Sequence, residues 1–224
     1  MHRDIKSNDP IKVAVVTGGH SFEVPAFRDL FHGMSGIDLY VQSIENWSAD
    51  EGGTAADYDV TLFYTMHMTT PERGMDWPWH QVRDALERLG EDGRGIVVLH
   101  HALLSYPDWP HWDALVGIDG RGKFTYHHDQ ELDVVVKETD HPITQGLESF
   151  QITDESYGMN DATNDSDILL TVDHPLSMTT LGWTREFRES RVLCLELGHD
   201  AQAWRNESFV GILRRGLLWC GRRI

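Results

Sequence analysis

Two observations predict an α/β fold built on a parallel sheet covered on both faces. Up to residue 100, short β-branched runs alternate with segments whose apolar residues recur at helical spacing, and the runs are too apolar to have one face in water. Beyond Trp112, strand-like runs follow one another with only short turns between them. Some of these must pair antiparallel, as an extension or flap on the parallel core in the C-terminal half.

Residues 1–11 are polar, end in Asp9-Pro10, and read as a loosely ordered lead-in. KVAVVT (12–17) is a buried strand stopped by the tight Gly18-Gly19 turn. Phe27, Leu30, Phe31 and Met34 then form one apolar helix face, with Gly33 and Gly36 at its end. IDLYVQSI (37–44) and YDVTLFY (58–64) are the second and third strands, joined by a polar segment that holds at most a short helix. Val82, Ala85, Leu86 and Leu89 mark a helix running from Trp79 to the Gly90 and Gly93 stop, and GIVVLH (95–100) is the fourth strand. GIDGRG (117–122) reads as a turn between short elements. Six strand-like runs come next: KFTYHH, ELDVVVK, FQITDES, DILLTVD, MTTLGW and RVLCLELGH. The final helix starts after Asn206 as its cap and sets Phe209, Val210, Leu213, Leu217 and Cys220 on one face. No repeat, low-complexity tract or linker interrupts this pattern, so residues 12–224 are expected to form one domain.

The 224 residues carry 36 acidic against 19 basic side chains, a formal charge of −17. That balance opposes a phosphate backbone, and no basic stripe interrupts it, so nucleic acid is not an expected partner. No segment approaches the roughly 18 apolar residues of a membrane span, which leaves a soluble cytoplasmic protein as the expectation. Cys194 and Cys220 each sit inside an apolar run and read as buried thiols of a reducing compartment.

Ligands of an open α/β sheet bind beyond the carboxyl ends of the strands, where loops diverge and helix N-termini point their amides outward. Five predicted strand ends carry a histidine or an acid pair: His20 and Glu23 after the first, His67 after the third, His100-His101 after the fourth, Asp154-Glu155-Ser156-Tyr157 after FQIT, and His199-Asp200 after LCLELG. Histidine titrates near neutral pH and ligates borderline metals, while carboxylates act as bases, orienting groups or ligands. His20, His100, Glu155, His199 and Asp200 are therefore the catalytic candidates, and Glu23, His67, Asp154, Tyr157 and the loop residue Trp109 the substrate-binding ones. A divalent metal, zinc foremost, would suit a set of three histidines (His20, His100, His199) or of two with Glu155, although no HExxH pair announces it. The Gly18-Gly19 turn lacks both GxGxxG and GxxxxGK[ST] spacing, so no nucleotide cofactor is supported, and no serine stands in a GxSxG elbow.

VVTGGHSFE, GIVVLHHA, HPITQGLESFQITDESY, LGWTREFRESRVLCLELGHDAQAW and FVGILRRGLLWC occur in the order seen in one family, across nearly all of residues 12–220. On these motifs the chain resembles the ThuA-like, or trehalose-utilisation, proteins of the class I glutamine amidotransferase-like superfamily. The resemblance implies a three-layer, flavodoxin-like sheet and a role in carbohydrate metabolism with a small-molecule carbohydrate as partner. It maps the family pattern onto His20, His100, Asp154, Glu155, Tyr157, His199 and Asp200, and onto His127 or His128, of which His128 is taken as substrate-binding. It also places His100-His101-Ala102 where true amidotransferases carry the cysteine of a Gly-x-Cys-x-Gly elbow. Without that thiolate, acyl transfer from glutamine has no nucleophile.

The leading expectation is an enzyme acting on a sugar or keto-sugar derivative, by proton transfer (isomerisation, epimerisation or elimination) or by metal-assisted hydrolysis. Glu155 or His199 would be the base, and His100, as a loop-edge residue, would be dispensable for packing. The alternative is a non-catalytic sugar-binding or sensing protein on the same fold, and a third reading makes the fold a scaffold for homo-oligomers.

Overall fold

The computed structural model describes residues 9–49 and 53–224; residues 1–8 of the expected lead-in lie outside them. The elements are β1 (Ile11–Gly18), α1 (Val24–Phe31), β2 (Ile37–Ser43), α2 (Ile44–Ala49), β3 (Val60–Thr65), α3 (Trp79–Glu87), β4 (Gly95–Leu99), α4 (Pro110–Val116), β5 (Thr125–Val136), β6 (Phe150–Gly158), β7 (Asp167–Thr171), β8 (Thr180–Phe187), β9 (Ser190–Leu195), α5 (Ala201–Trp204) and α6 (Glu207–Cys220). The strands form one sheet in the order β2-β1-β3-β4-β9-β8-β7-β5-β6. The first five in that order pair in parallel, the flavodoxin-like order, and the remainder pair antiparallel.

Side-chain alternation along the central strands divides the interior in two. Val13, Val15, Leu62, Tyr64, Val97, Leu99, Leu193 and Leu195 pack on one side of the sheet with Phe27 and Leu30 of α1 and Leu213 and Leu217 of α6. Ala14, Val16, Phe63, Ile96, Val98, Val192 and Cys194 face the other side, against Val82 and Leu86 of α3 and Trp112 and Leu115 of α4. Cys194 and Cys220 thus belong to opposite layers, both buried and both free, and burial pushes the Cys220 thiol up to about 12. Asn206 caps α6 as expected, its side chain accepting from the Ser208 and Phe209 N–H groups.

One expectation is corrected. KFTYHH and ELDVVVK are one strand, β5, kept continuous by a bulge between His127 and Gln130 that inserts an extra residue opposite β6. The rhythm after residue 100 also hides α4, although Pro110 in its first turn and Gly117 (φ 70°) just past its end are the marks of a short helix. The β5–β6 hairpin is last in the sheet order, yet it folds back over the C-terminal ends of β4 and β9. The Tyr157 N–H donates to Glu196 Oε1 at 2.7 Å and the Met178 N–H to the Tyr157 carbonyl at 2.6 Å.

Inside the GIDGRG turn, Arg121 is fully buried. Its guanidinium pairs with Asp113 Oδ1 and donates to the carbonyls of Leu103, Ser105 and Tyr106, the backbone that follows the fourth strand. Arg121→Ala should therefore destabilise the protein by about 3–5 kcal/mol in a denaturant titration, because it leaves three interior carbonyls without their donor and the half-buried Asp113 carboxylate without its counter-charge. A change under 1 kcal/mol would contradict this.

Candidate functional site

The turn after β4 builds the floor of the site. His100 opens a one-turn 3-10 segment (His100–Leu104) with φ 51°, a left-handed conformation that L-residues rarely adopt. It is a strained strand-to-helix turn of the kind that presents a nucleophile in hydrolases, with an imidazole in the nucleophile's place. His100 is fully buried, which corrects the expectation of a loop-edge residue. Its Nδ1–H donates to the Glu196 carbonyl at 2.5 Å. A carbonyl only accepts, so Nδ1 carries a proton and Nε2 is the ring atom that faces inward.

Three groups meet that Nε2. Glu155 Oε2 and His199 Nδ1 each lie 3.1 Å from it, and those two atoms are 3.4 Å from one another. The Tyr157 hydroxyl is 2.6 Å away and also hydrogen-bonds Glu155. Glu155 and Tyr157, two apart on β6, share a face by strand alternation. His128 completes the group from the bulge of β5, its Nδ1 2.9 Å from Glu155 Oε1 and its ring 5.2 Å from that of His199. Of His127 and His128, it is His128 that turns to the site. His20 lies at the rim, exposed, its ring tilted on His101 at 4.5 Å and edge-on to His199 at 5.9 Å. The Gly18-Gly19 turn makes that placement possible: Gly19 has φ 75°, and a Cβ there would stand 2.3 Å from the Met66 carbonyl oxygen.

Asp154 points away from the three ligand-like atoms and braces them. Its carboxylate accepts the N–H groups of Gly198 (2.6 Å), His199 (3.0 Å) and Glu155 (2.9 Å), and so fixes the backbone of both site residues. Its assignment as substrate-binding is corrected to this internal role. Asp200 stands beside His199, half-exposed, and its Oδ1 caps α5 by accepting the Gln202 N–H at 2.7 Å. Trp109 is a core residue, 6% exposed, packed on Tyr106 and His111 under the Arg83 guanidinium. His67 lies on the far side of the Gly18-Gly19 turn, between Trp79 and Tyr106, and Glu23 is exposed at the start of α1.

Burial and pairing set the charges. Burial alone would raise Glu155, but the hydrogen bond and charge of His100, then His199 and Tyr157, bring it down to about 2. Burial lowers the His100 imidazole, and the Glu155 contact with the neighbouring acids more than reverses that. His199 is shifted down by burial and by His100. Two residues absent from the sequence-based candidates belong here. His101 is buried and held neutral, down to about 2 by burial and its histidine neighbours, with Nδ1 on the Thr65 carbonyl and Nε2 without a partner among the described residues. Glu196 is buried and pushed up to about 8 by burial; one oxygen holds the Tyr157 N–H and the other has no partner among the described residues. An acid inside an otherwise apolar strand run, LCLEL, was its signal.

His100, Glu155 and His199 form the group among the described residues whose ligand atoms could share one metal ion. In a tetrahedral zinc site with bonds of about 2.0–2.1 Å, ligand atoms stand about 3.4 Å apart, close to the separations here. The set is thus two histidines and a carboxylate, with Glu155 rather than His20 as the third member. The outer contacts match as well: a metal-bound histidine typically donates its other N–H to a carbonyl, as His100 does to Glu196.

The sequence profile of the ThuA family, described as trehalose utilisation, matches residues 12–220. Among solved structures, a ThuA-like protein from Parabacteroides merdae is similar at 20% identity, with 95% of this chain and 90% of that one covered and a TM-score of 0.73. A Salmonella typhimurium protein called cytoplasmic aligns at 10% identity over 94% and 99% of the two chains, TM-score 0.69. A glutamine amidotransferase from Thermotoga maritima aligns at 8% identity over 94% and 98%, TM-score 0.56. These likenesses show the fold. No curated protein matches the sequence. No helix among the described residues is long and apolar enough to cross a membrane.

Glu196 supplies a test of the site's electrostatics. Its folded pKa of about 8 lies above the ordinary 4.5, so the stability it contributes is fully present below pH 4.5 and is lost as pH rises through 8. Glu196→Gln removes that dependence. In chelator-treated protein, the melting temperature of the variant relative to wild type should rise by about 5 °C between pH 6 and pH 9. A constant difference would mean that Glu196 is ionised throughout.

Proposed function

Because the chain belongs to the ThuA family of trehalose utilisation, we propose that it is an enzyme acting on a sugar or keto-sugar derivative, with a divalent cation, zinc foremost, held by His100, Glu155 and His199. The observation that carries this reading is the convergence of His100 Nε2, Glu155 Oε2 and His199 Nδ1 from a turn, a strand and a loop distant in sequence. Such a cation, when bound, polarises a substrate carbonyl or hydroxyl oxygen.

The chain's own residues supply the remainder. His100 and Glu155 are too enclosed to exchange protons with a sugar, since Glu155 is only 7% exposed and tied to His100, Tyr157 and His128. His199 is engaged with both, which leaves His20 as the base in this reading. His20 stands free at the rim beside His199, and it takes a proton from the substrate carbon or hydroxyl and returns it to the neighbouring position. Isomerisation, epimerisation or elimination next to a carbonyl is the reaction class that this pairing of base and electrophile fits. Glutamine hydrolysis is excluded, because both cysteines lie in the cores and the elbow position is His100.

Elemental analysis of the purified protein should find about one zinc per chain, and a screen of oxidised and unoxidised disaccharides should yield an isomer or elimination product. His199→Ala should lose the metal. His20→Ala should keep it while turnover falls about 10²–10⁴-fold. Saturable sugar binding with no product would replace this reading with the sugar-sensing one; a metal-free protein whose turnover is unchanged by His199→Ala would remove the cation.

A further inference from the structure

We infer that His128 is a positioning residue that holds Glu155 in a single-oxygen ligand geometry, an inference that rests on the cation site proposed above. The two oxygens of Glu155 have separate partners. Oε2 faces His100 Nε2 and His199 Nδ1, whereas Oε1 lies 2.9 Å from His128 Nδ1. A carboxylate free to rotate can chelate a cation through both oxygens and fill a position that substrate needs. One whose outer oxygen is held by an N–H donor binds through the inner oxygen and leaves that position open.

The backbone is shaped for this contact. In β5, His127 stands opposite Ser156 and Gln130 opposite Asp154, so the two residues His128 and Asp129 together face the single residue Glu155. Asp129 absorbs the extra length with φ 55°. The bulge is anchored on both sides: the Gln130 side-chain amide donates to the His128 carbonyl at 2.6 Å, and Gln202 of α5 donates to Asp129 Oδ1 at 2.7 Å. Gln202 is also the residue whose N–H is capped by Asp200, next to His199. The hairpin that carries His128 and the loop that carries His199 are therefore tied together outside the ligand atoms. His128 itself packs little, with 57% of its side chain exposed against 7% for Glu155. A residue so exposed, inserted by a bulge and aimed at the outer oxygen of a buried carboxylate, orients that carboxylate without supporting the core.

The test uses the full chain stripped with a chelator, titrated with Zn²⁺ against a chromophoric competitor and with Co²⁺ followed by visible absorption. His128→Ala should weaken Zn²⁺ binding about 10–100-fold and shift the Co²⁺ spectrum towards higher coordination. His128→Asn, whose amide nitrogen can stand where Nδ1 does, should restore both to within a few fold. Melting curves of the three stripped proteins should coincide. If wild type and His128→Ala bind Zn²⁺ equally and give the same Co²⁺ spectrum, the inference is overturned while the cation site stands; if wild type binds no Zn²⁺, both fall. A loss that His128→Asn does not rescue would also overturn it, since packing rather than a donated hydrogen bond would then be responsible.

Discussion

The clasp between Asp154 and the backbone of Gly198 and His199 is the constraint on which the site depends. Strand order puts β6 at the far end of the sheet, four places beyond β9, so ladder pairing alone would leave Glu155 and Tyr157 far from His100. A buried carboxylate that accepts three backbone N–H groups ties the hairpin to the loop after β9. Hydrogen bonds to a charged acceptor are stronger than neutral ones, and here they also supply partners for N–H groups that would otherwise be orphaned indoors. Once the clasp is closed, strand alternation does the rest, carrying Glu155 and Tyr157 to one face and leaving Asp154 on the other.

The second constraint is the left-handed turn at His100. Turning the chain sharply at the end of β4 sends the side chain above the sheet and leaves the following carbonyls pointing inward, where Arg121 receives three of them. The fold is shared with a glutamine amidotransferase. On this chain's turn stands an imidazole whose Nδ1–H is committed to the Glu196 carbonyl, so that its Nε2 faces Glu155, His199 and Tyr157.

The parallel half was readable in advance because its cause is local. Apolar β-branched runs and 3.6-residue periodicity report burial directly, and β1, β3 and β4 and helices α1, α3 and α6 lie where those patterns put them. The strand ends also pointed to His100, Glu155 and His199, whose side chains the structure brings together. The failures share a different cause, dependence on tertiary pairing. Whether KFTYHH and ELDVVVK are two strands or one is decided by what lies opposite a bulge, and that Asp200 caps a helix is decided by four residues of α5 that carry almost no periodic signal. Period-two reasoning within DESY could have separated Asp154 from Glu155 and joined Glu155 to Tyr157, since that alternation needs no partner strand. Nothing local marks Arg121 as interior or Trp109 as remote.

Three buried carboxyl groups, Asp154, Glu155 and Glu196, surround one imidazole, and they cannot all be ionised at low dielectric without a counter-charge. The surroundings divide them. Glu155 has imidazole partners and falls to about 2; Asp154 is raised by burial to about 6, held there by the His100 charge and the N–H groups of Gly198 and His199; Glu196, with one N–H donor, rises to about 8 and keeps its proton at neutral pH. An acid that stays neutral beneath His100 lets the ring's Nδ1–H bond to the Glu196 carbonyl without a second full charge beside it. The negative charge then concentrates on Glu155, the carboxylate whose oxygens face His100, His199 and the solvent-side His128. The protein's acidic excess adds to the negative potential around that carboxylate without specifying the site.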